Sequence, residues 1–463
     1  MKILKIIHGY PPRYNAGSEV YSQALCRELS RRGHEVHVFT REENVFRPDF
    51  RVTTECQDGV WLHVVNNPRL KDVFSVPEID AAVEKLLSDV KPDVVHIGHL
   101  NHLSITLVEK IKQQRIPILF TLHDFWLLCP RGQFLKVGAC QEEPYRLCNK
   151  VDAKTCSKDC YSRHWTGLSE CLADDESYWK RWVEKRLNLS QKVLESVDLF
   201  HAPSRHLVRR FDEEYPGFSD KCFYLDYGLN RRPLRRRVRI PEDKFVFGYI
   251  GTHIPAKGIN LLIEAFAKVK GARLRIWGPT SGMDSVVLRK MAADLDVEFM
   301  GGYCNDEICE SVFGRCDAIV VPSIWMENSP LVIHEAQGAR VPVITADAGG
   351  MSEYVKHGEN GLLFHHRNAS DLAIQMQRFV SEDGLARRLG QRGYLFSRTG
   401  LIPSISQHTG ELIRVYESLI EQNRPCRGDR RGPWRITFDT NPDLCNRACI
   451  MCERHSLANQ AHI

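Results

Sequence analysis

The sequence predicts an α/β protein built on parallel sheets. Short apolar runs alternate with segments of helical length over most of the 463 residues, and this alternation is typical of strands joined by crossover helices. It occurs in two series, separated by a polar stretch with six Arg within residues 231–239. The hydrophobic content of 43% is ample for buried cores, and the length suits two large domains or three of about 150 residues.

The first series begins at the N-terminus and contains five predicted strands. An amphipathic helix over Ser18–Arg32 is closed by Gly33, and a longer helix covers about residues 176–195. The strands are Ile3–Ile7, Glu35–Phe39, Val94–Ile97, Ile118–Leu122 and Val197–Ala202. We expect them to form the sheet of an N-terminal Rossmann-like domain over residues 1–235, with an irregular Cys-rich insertion at 129–171.

The second series repeats the pattern after the Arg-rich stretch, which we interpret as a solvated linker. Its predicted strands are Phe245–Ile250, Leu274–Trp277, Glu298–Met300, Ala318–Val321 and Val341–Thr345. Helices then extend to about residue 398, and a final helix covers Ile402–Gln422. We expect residues 240–400 to form a second Rossmann-like domain that faces the first across a cleft.

Two glutamates in the second series indicate a binding site. Glu327 lies in the loop after the strand Ala318–Val321, at the carboxyl end where doubly wound sheets bind ligands. Glu335 lies about one and a half turns into the next helix, on the side of the same cleft. Taken alone, two glutamates at this spacing could equally be a loop charge and a solvated helix residue, so their context decides the interpretation.

The start of that helix supplies the context. Ser329 is predicted to be its N-cap and Pro330 its first residue. Free backbone amides at a helix start, here those of Leu331 and Val332, can hold a phosphate. A phosphate-binding helix start flanked by two carboxylates that accept from hydroxyls predicts a site for a sugar nucleotide.

The whole stretch resembles the signature of a known enzyme family. It has the sequence SIWMENSPLVIHEAQGARVPVITADAGG, and it is similar to the signature of retaining family-4 (group 1) glycosyltransferases of the GT-B fold. In that family the first Glu contacts the donor sugar and the second the nucleotide ribose, roles that the resemblance assigns to Glu327 and Glu335. The resemblance extends over roughly residues 1–420.

Membership of this family would have several consequences. It implies transfer of a hexose-type sugar from a UDP or GDP type of donor, with retention, to a glycan, lipid-linked or small-molecule acceptor, as in polysaccharide biosynthesis. The acceptor would bind to the first domain and the nucleotide sugar to the second. The final helix, within residues 401–423, would cross back to the first domain, as it does in GT-B proteins.

Lys257 is a further candidate in the second domain. It follows the Gly turn that ends the strand Phe245–Ile250, where a Lys can reach a diphosphate and Gly258 lets the backbone come close. The family commonly carries an Arg before this Lys, but Thr252 occupies that position here. Either the phosphate is held less firmly, or another residue such as Arg131 takes its place.

The first domain contributes two candidates. The loop Gly9–Gly17 opens onto a helix, and the family usually has paired glycines near its end, whereas this chain has Ala16 and Gly17. Gly17 alone would give a donor access to the backbone. His123 follows a strand at its ligand end, and it matches the family's His that contacts the donor sugar and supports catalysis.

Gly349 and Gly350 complete the predicted donor site. They follow the strand Val341–Thr345, and their backbone amides can cradle a phosphate or sugar oxygen. No clear Asp-x-Asp motif stands at a strand end in either half of the sequence. GT-B enzymes use positive side chains and helix dipoles in place of a divalent ion, so the resemblance implies transfer that requires no divalent metal.

Composition and charge limit the partners. The net charge of +5 is mildly basic and does not by itself indicate nucleic acid. No apolar run of about 18 residues or more is present, and Lys5 and His8 interrupt the N-terminal run, so we expect a cytoplasmic protein. The aromatic and basic segment 178–182, together with the Arg-rich stretch, is either a solvated surface or a peripheral contact with an anionic membrane.

Six cysteines lie in the insertion at residues 129–171. They are Cys129, Cys140, Cys148, Cys156, Cys160 and Cys171. Four thiolates could close a structural zinc site, but the spacing lacks two Cys-x2-Cys pairs. The cysteines are therefore either zinc ligands or the free thiols expected of a reducing compartment.

The C-terminal segment 424–463 has a different character. Cys445, Cys449 and Cys452 follow an apolar strand at Trp434–Phe438, with a spacing that resembles the opening of a radical S-adenosylmethionine domain, where three thiolates hold an iron–sulfur cluster. Only 11 residues follow the last cysteine, so we expect a truncated fusion without radical chemistry, or else a disordered Cys-rich end.

Two competing functions stay open at this point. The first is a radical S-adenosylmethionine fusion fragment, whose activity would lie in a missing domain. The second is a GT-B pseudoenzyme that binds a nucleotide sugar without transferring it. The departures at Thr252 and Ala16 keep the second possibility open.

Overall fold

The computed structural model describes residues 1–67, 74–136, 145–162, 173–230, 234, 237–279, 282–393 and 402–423. Residues Met1–Asn423 form one compact unit. The C-terminal strand predicted at Trp434–Phe438 and the three cysteines that follow it lie outside the described residues. So do Cys140 and Cys171 of the insertion.

The first domain is built on an eight-stranded sheet. In chain order the strands of this domain are β1 (Lys2–Ile6), β2 (Glu35–Glu42), β3 (Val52–Gln57), β4 (Val60–Asn66), β5 (Val94–Ile97), β6 (Ile118–Thr121), β7 (Leu135–Lys136), β8 (Arg146–Leu147), β9 (Leu199–Ala202) and β10 (Cys222–Tyr224). The sheet has the order β10-β9-β6-β5-β1-β2-β4-β3, and β7 pairs with β8 separately. All neighbours in the large sheet are parallel except β3 and β4.

The central strands β1, β5 and β6 are almost entirely buried, because both faces of the sheet are covered by helices. The helices are α1 (Gly17–Arg31), α2 (Pro77–Val90), α3 (Leu107–Gln113), α4 (Ala153–Cys156), α5 (Ala173–Ser196) and α6 (Arg205–Glu214). A π-helical turn, Ser157–Ser162, follows α4. Strands β5 and β6 are buried along their whole length, whereas the antiparallel edge strand β3 is largely exposed.

The second domain has a six-stranded, entirely parallel sheet. Its strands are β11 (Phe245–Ile250), β12 (Ala272–Trp277), β13 (Val297–Gly301), β14 (Ala318–Val321), β15 (Val343–Ala346) and β16 (Gly361–Phe364), in the order β13-β12-β11-β14-β15-β16. The helices are α7 (Ile259–Phe266), α8 (Gly282–Met291), α9 (Ile308–Ser311), α10 (Leu331–Gly338), α11 (Ala369–Ser381) and α12 (Leu385–Gln391). The predicted α/β class with two Rossmann-like sheets is confirmed, while the exact domain limits stay a prediction.

The final helix, α13 (Ile405–Asn423), packs against the first domain, as the resemblance implied. Leu412 and Tyr416 are buried in the same core as Tyr21 of α1. The Tyr416 hydroxyl lies 2.7 Å from Nδ1 of His96 on β5, and the Tyr21 hydroxyl lies 2.8 Å from Nε2 of His408 on α13. Buried apolar contact and these polar contacts together attach the end of the second domain to the first.

One interpretation of the surface needs correction. Arg237 and Arg239, placed in a solvated linker by the sequence, bind the second domain. Arg237 donates to the carbonyls of Phe313 and Asp317, and Arg239 makes a bidentate pair with the Asp317 carboxylate at 2.8 Å for each contact. A guanidinium satisfies several acceptors at once, so a run of Arg can anchor a connection as well as solvate it.

The aromatic segment of α5 also packs inward. Trp179 and Trp182 lie 5.3 and 4.8 Å from Tyr161 between ring centroids, and both border a small core beside Val183. Tyr178 is exposed. Among the described residues, no helix is both long and apolar enough to cross a membrane. Contact with a membrane surface stays a prediction.

Candidate functional site

Two loops meet at the centre of the second sheet. Strands β11 and β14 are neighbours there, and the chain leaves β11 toward β12 on one side and β14 toward β15 on the other. The crevice outside the carboxyl ends of such strands is where doubly wound sheets bind ligands. Lys257 follows β11 and Glu327 follows β14, and the Lys257 Nζ atom donates to Glu327 Oε1 at 2.9 Å.

Glu327 is buried, with 5% of its surface exposed. Its Oε1 also accepts a hydrogen bond from the Ser323 hydroxyl. In the part of the chain that the structure describes, no hydrogen bond reaches Oε2. The Lys257 ammonium lies 5.8 Å from the centre of the Trp325 ring. One carboxylate oxygen is therefore used by the protein, and the other is available to a hydroxyl of a ligand.

Glycines hold these loops together, and in a different way from the sequence expectation. The amide of Gly350 donates to the Glu327 carbonyl at 2.7 Å, so it is not free for a phosphate. A Cβ on Gly350 would lie 1.4 Å from the Asn328 carbonyl oxygen, and one on Gly349 would lie 2.7 Å from the Glu327 carbonyl oxygen. The close approach that these glycines permit is between two segments of the protein.

The helix that carries Glu335 begins one residue later than predicted. Leu331 is its first residue and Pro330 its N-cap, and no side chain caps it. Ser329, predicted as the cap, instead lies 3.3 Å from Asp226 Oδ1 and 3.1 Å from His334 Nε2. A buried acceptor on another segment thus competes with the helix amides for this hydroxyl.

The first amides of this helix lack an intrahelical partner, as helix starts require. Within the described residues, no backbone or side-chain acceptor takes a hydrogen bond from the amides of Leu331 or Val332. The side chain of Leu331 lies opposite Gly17, where an added Cβ would be 3.7 Å from Leu331 Cδ1. The starts of α1 and α10 therefore face each other across the cleft.

Gly17 itself is exposed at the first position of α1. A side chain there would make only an ordinary van der Waals contact, so packing within the protein does not require glycine. This contrasts with Gly258, whose Cβ would lie 1.9 Å from the Pro322 carbonyl oxygen. The open space beside Gly17 is consistent with access to its backbone by a ligand.

Glu335 is half-buried on α10 and faces no cation. No side-chain hydrogen bond or ion pair to it occurs among the described residues. Burial raises the pKa of Glu335 to about 7, against a smaller opposing effect of His334. Tyr303 lies close enough for the Glu335 charge to contribute to its raised pKa, after burial as the main cause. A desolvated carboxyl without a partner is suited to accept hydrogen bonds from ligand hydroxyls.

His123 lies at the end of β6, on the opposite wall of the cleft. Its Nδ1 atom is 2.5 Å from the Tyr227 hydroxyl, and its Nε2 atom is buried without a partner. Burial, followed by the charge of Lys5, holds the pKa of His123 well below its usual range. Asn328, next to Glu327, donates to the carbonyls of Leu122 and His123 at 3.2 and 3.3 Å. This amide ties the His123 strand to the Glu327 loop.

The structure thus brings most of the predicted residues to one cleft. Glu327, Lys257 and the start of α10 line the second domain, and Gly17 and His123 line the first. Sequence reasoning missed Ser323, Trp325 and Asn328, although each lies within six residues of the Pro322 that ends a predicted strand. It also did not assign Asp226 or Tyr227 to the site. Only the spatial arrangement reveals that Tyr227 reaches His123.

The insertion offers less to the site. The structure describes four cysteines of the insertion, Cys129, Cys148, Cys156 and Cys160, and none of them forms a disulfide with another described cysteine. Burial raises the pKa of Cys129, and it is also the main cause of the raised pKa of Cys156. The described residues contain no group of three or more side chains arranged to bind a metal ion. Zinc binding in the insertion stays a prediction, because two of the six cysteines are not described.

Comparison with known families assigns the two halves of the chain. A model of glycosyltransferase family 4 matches residues 16–223, and a model of glycosyl transferases group 1 matches residues 230–396. An uncharacterized glycosyltransferase of Methanocaldococcus jannaschii is 25% identical over 395 residues, which cover 83% of this chain and 90% of that relative. A D-inositol 3-phosphate glycosyltransferase of Stackebrandtia nassauensis is 33% identical over 218 residues, 44% of this chain and 47% of the relative.

Solved structures share the fold over nearly the whole chain. Sucrose-phosphate synthase from Thermosynechococcus elongatus superposes with a TM-score of 0.69 at 18% identity, covering 91% of this chain and 99% of the synthase. HepE of Anabaena, in complex with UDP and glucose, superposes with a TM-score of 0.64 at 16% identity, covering 90% of this chain and all 100% of HepE. The arrangement of the two domains is therefore the GT-B fold.

Proposed function

We propose that this chain, which belongs to the group 1 glycosyltransferases of the GT-B fold, transfers a hexose from a nucleoside diphosphate sugar to an acceptor bound by the first domain, with retention. The unpartnered, half-buried Glu335 is the observation that carries the proposal. It lies on the helix that begins at Leu331, whose side chain is opposite Gly17, and the same domain carries the ion pair of Lys257 with the buried Glu327. A nucleotide sugar supplies a diphosphate for the ammonium and the helix amides, and hydroxyls for the two carboxylates.

Each residue would then have a defined role. Lys257 and the amides of Leu331 and Val332 would hold the diphosphate, because an ammonium and a helix start both favour anions. Glu335 would accept from the ribose hydroxyls, and Glu327 from hydroxyls of the sugar. The Lys257 ammonium and the two helix amides would also stabilise the charge that develops on the leaving diphosphate. We therefore propose that transfer requires no divalent metal.

His123 would line the sugar site from the first domain, and Gly17 would admit the donor to the backbone beside it. Retention rests on the resemblance of the Glu327–Glu335 stretch to retaining enzymes. HepE, which shares the fold, binds UDP and glucose, and it has also been crystallised with UDP-glucose. UDP-glucose is therefore the first donor to test. A glycan, a lipid-linked sugar or a small polyol could accept the hexose.

Thermal unfolding in the presence of UDP-, GDP- and ADP-sugars tests the donor site. A ligand at a hundred times its Kd stabilises the native state by about 2.7 kcal/mol. We expect one nucleotide family to raise the Tm, and Glu335→Ala and Lys257→Ala to abolish that rise. The matched control is Glu264→Ala, which removes an exposed glutamate of α7 that pairs with Lys268 at 3.7 Å.

Turnover of the stabilising donor then separates the alternatives. Release of the nucleoside diphosphate, with and without EDTA, supports an enzyme that needs no divalent metal. Stabilisation without transfer or hydrolysis would favour the pseudoenzyme. If no donor raises the Tm of the folded protein, or if the control variant loses the rise as fully as the site variants, the proposed site is wrong.

A further inference from the structure

We propose that Tyr227 is a positioning residue that holds the His123 imidazole with its proton on Nε2, so that this nitrogen, which has no partner among the described residues, is a neutral hydrogen-bond donor for a ligand. The inference rests on the proposed function in one respect only, which is that a sugar oxygen is the group that would accept this hydrogen bond. The orientation of the ring and the position of its proton follow from the contacts described below.

The contact between the two side chains is close and enclosed. The Tyr227 hydroxyl lies 2.5 Å from His123 Nδ1, and the two rings stack with centroids 5.6 Å apart and planes 21° apart. Tyr227 has 4% of its surface exposed. Tyr21 packs against both rings, with centroids 4.6 Å from Tyr227 and 5.7 Å from His123. This packing leaves the imidazole little freedom to turn over.

Counting the hydrogens identifies the tautomer. The hydrogen bond has two possible directions, because a neutral imidazole carries one proton and a phenol hydroxyl carries one. Burial raises the pKa of Tyr227 well above its usual range and lowers that of His123, so both groups are neutral at neutral pH. If Nδ1 donated, the Tyr227 hydrogen would need another acceptor, and the described residues around it provide none. With Nδ1 as the donor, two buried groups would lack a partner, the Tyr227 hydrogen and the Nε2 lone pair, whereas with the hydroxyl as the donor only the Nε2 hydrogen does. Unpaired buried polar groups are costly, so the hydroxyl donates and Nδ1 accepts.

The proton of His123 is then on Nε2. That atom is buried and makes no hydrogen bond in the structure. A buried N–H without an acceptor is stabilised when a ligand supplies an oxygen lone pair. The neutral imidazole adds no positive charge for the diphosphate. It is suited to an uncharged oxygen, such as a hydroxyl of the transferred hexose.

Tyr227 is itself held by a contact to the donor side of the cleft. Its amide donates to Asp226 Oδ1 at 2.9 Å, and the same carboxylate oxygen is 3.1 Å from His334 Nε2. His334 immediately precedes Glu335 on α10. The dipeptide Asp226-Tyr227 therefore links the helix that carries Glu335 to the imidazole of His123. In the chain it lies between β10, the last strand of the first sheet, and β11, the first strand of the second.

Nitrogen NMR of the intact protein tests the tautomer directly. Long-range proton–nitrogen spectra of protein labelled with ¹⁵N-histidine distinguish a protonated Nε2 from a protonated Nδ1, and His123→Gln identifies the signals of this residue. We expect His123 to have a protonated Nε2 and a bare Nδ1 in the unsubstituted chain. Tyr227→Phe keeps the ring and removes the hydroxyl, so we expect both tautomers to be populated.

The control is Tyr416→Phe, because the Tyr416 hydroxyl contacts another buried histidine, His96, at 2.7 Å. It should leave the His123 signals unchanged. A protonated Nδ1 in the unsubstituted chain would overturn the proposal, and so would a Tyr227→Phe protein in which the tautomer is unaltered. This readout needs no turnover, so it stands whether or not the proposed transfer is found.

Kinetics supply the second readout. With UDP-glucose as the probe, we expect Tyr227→Phe to lower kcat about three- to tenfold and to leave the donor KM within twofold, because only part of the molecules then presents Nε2–H. An unchanged kcat in a protein with an altered tautomer would show that the proton position does not matter for transfer, and it would overturn the positioning role.

Discussion

Glu335 shows how a single half-buried carboxyl can make the stability of the fold depend on pH. Its pKa is raised to about 7 by burial, whereas an unfolded glutamate titrates near 4.3. The folded protein therefore holds this proton over a range of pH in which the unfolded chain has lost it. By linkage, the favourable contribution of the protonated group is fully present below about pH 4.3, and it is lost as the pH rises toward 7.

Substitution of Glu335 by Gln should remove that pH dependence. We expect the Tm of Glu335→Gln to exceed that of the unsubstituted protein by an amount that grows between about pH 4.5 and pH 7 and then levels off. Thermal unfolding without ligand, measured across this range, checks it. Glu264→Gln on the exposed face of α7 is the control. A difference between Glu335→Gln and the unsubstituted chain that is constant with pH would contradict the prediction.

Individual site residues were predictable to different extents. Glu327, Lys257 and Glu335 could be located from the sequence because each follows a recognisable strand and turn. Their interactions could not, since the pairing of Lys257 with Glu327 depends on β11 and β14 being adjacent, and sequence periodicity does not give strand order. The failure at Ser329 has a local cause. Its hydroxyl had two competing acceptors, and the one on Asp226 is distant in sequence.

Among the elements, the parallel strands were the most predictable. Those buried on both faces, such as β5, β11 and β14, have the predicted limits, because a continuous apolar run leaves little ambiguity about where burial ends. The antiparallel hairpin of β3 and β4 was missed. Its turn at Asp58-Gly59 is a typical hairpin signal, but β3 is an exposed edge strand without a strong apolar pattern.

Two glycines in connections between elements can be compared directly. Gly258, between β11 and α7, has φ +73° and a Cβ position 1.9 Å from the Pro322 carbonyl oxygen. Gly384, at the start of α12, has nearly the same angle, φ +71°, but nothing within 4 Å. The two positions therefore share the backbone strain of a substitution and differ in the space for a side chain.

Alanine at these two glycines should separate strain from steric conflict. We expect Gly384→Ala to lower the free energy of unfolding by about 1–2 kcal/mol, the cost of a left-handed L-residue. Gly258→Ala should cost at least about 2 kcal/mol more, because the end of β14 must move. Urea denaturation of both variants measures the difference. Equal losses at the two positions would show that the loop after β11 adjusts freely.

On the scale of the whole molecule, polar side chains of the second domain form hydrogen bonds with the first domain. The Glu353 carboxylate accepts from the amides of Arg205 and His206 at 2.9 and 2.6 Å, at the start of α6. Ser204, the N-cap of that helix, donates to the Asn328 side chain at 2.6 Å. A helix of one domain is thus capped by a carboxylate of the other, which favours one relative position of the two sheets.

Removal of this cap should weaken the junction. We expect Glu353→Ala to lower the free energy of unfolding by about 2 kcal/mol, because two amides lose a charged acceptor. Glu382→Ala is the matched control, since its carboxylate is exposed and pairs with Arg378 at 2.7 Å. It should cost about 0.5 kcal/mol or less. Calorimetry of the two variants tests this, and similar losses in both would mean that the cap contributes nothing to the junction.

The overall architecture was predictable because the alternation of strands and helices occurs twice and the resemblance supplies the path of the final helix. The polar contacts across the junction were not, because Glu353, Asn328 and Ser204 carry no periodic or spacing signal. Their contacts join residues that are far apart in the sequence, whereas a sequence pattern indicates only the local structure of neighbouring residues.

The ion pair between Lys257 and Glu327 affects how strongly the donor binds relative to the nucleotide product. In the structure each charge neutralises the other, with 2.9 Å between Lys257 Nζ and Glu327 Oε1. A diphosphate that attracts the ammonium leaves the buried carboxylate without its cation, and only a ligand with sugar hydroxyls replaces what the carboxylate has lost. Under the proposed function, the intact donor replaces the ion pair with contacts to both side chains. The nucleoside diphosphate that remains after transfer has no sugar hydroxyls for the carboxylate, so it replaces only the contact of the ammonium. Product release would then be favoured by the loss of the sugar itself, and UDP-glucose should stabilise the protein more than UDP does.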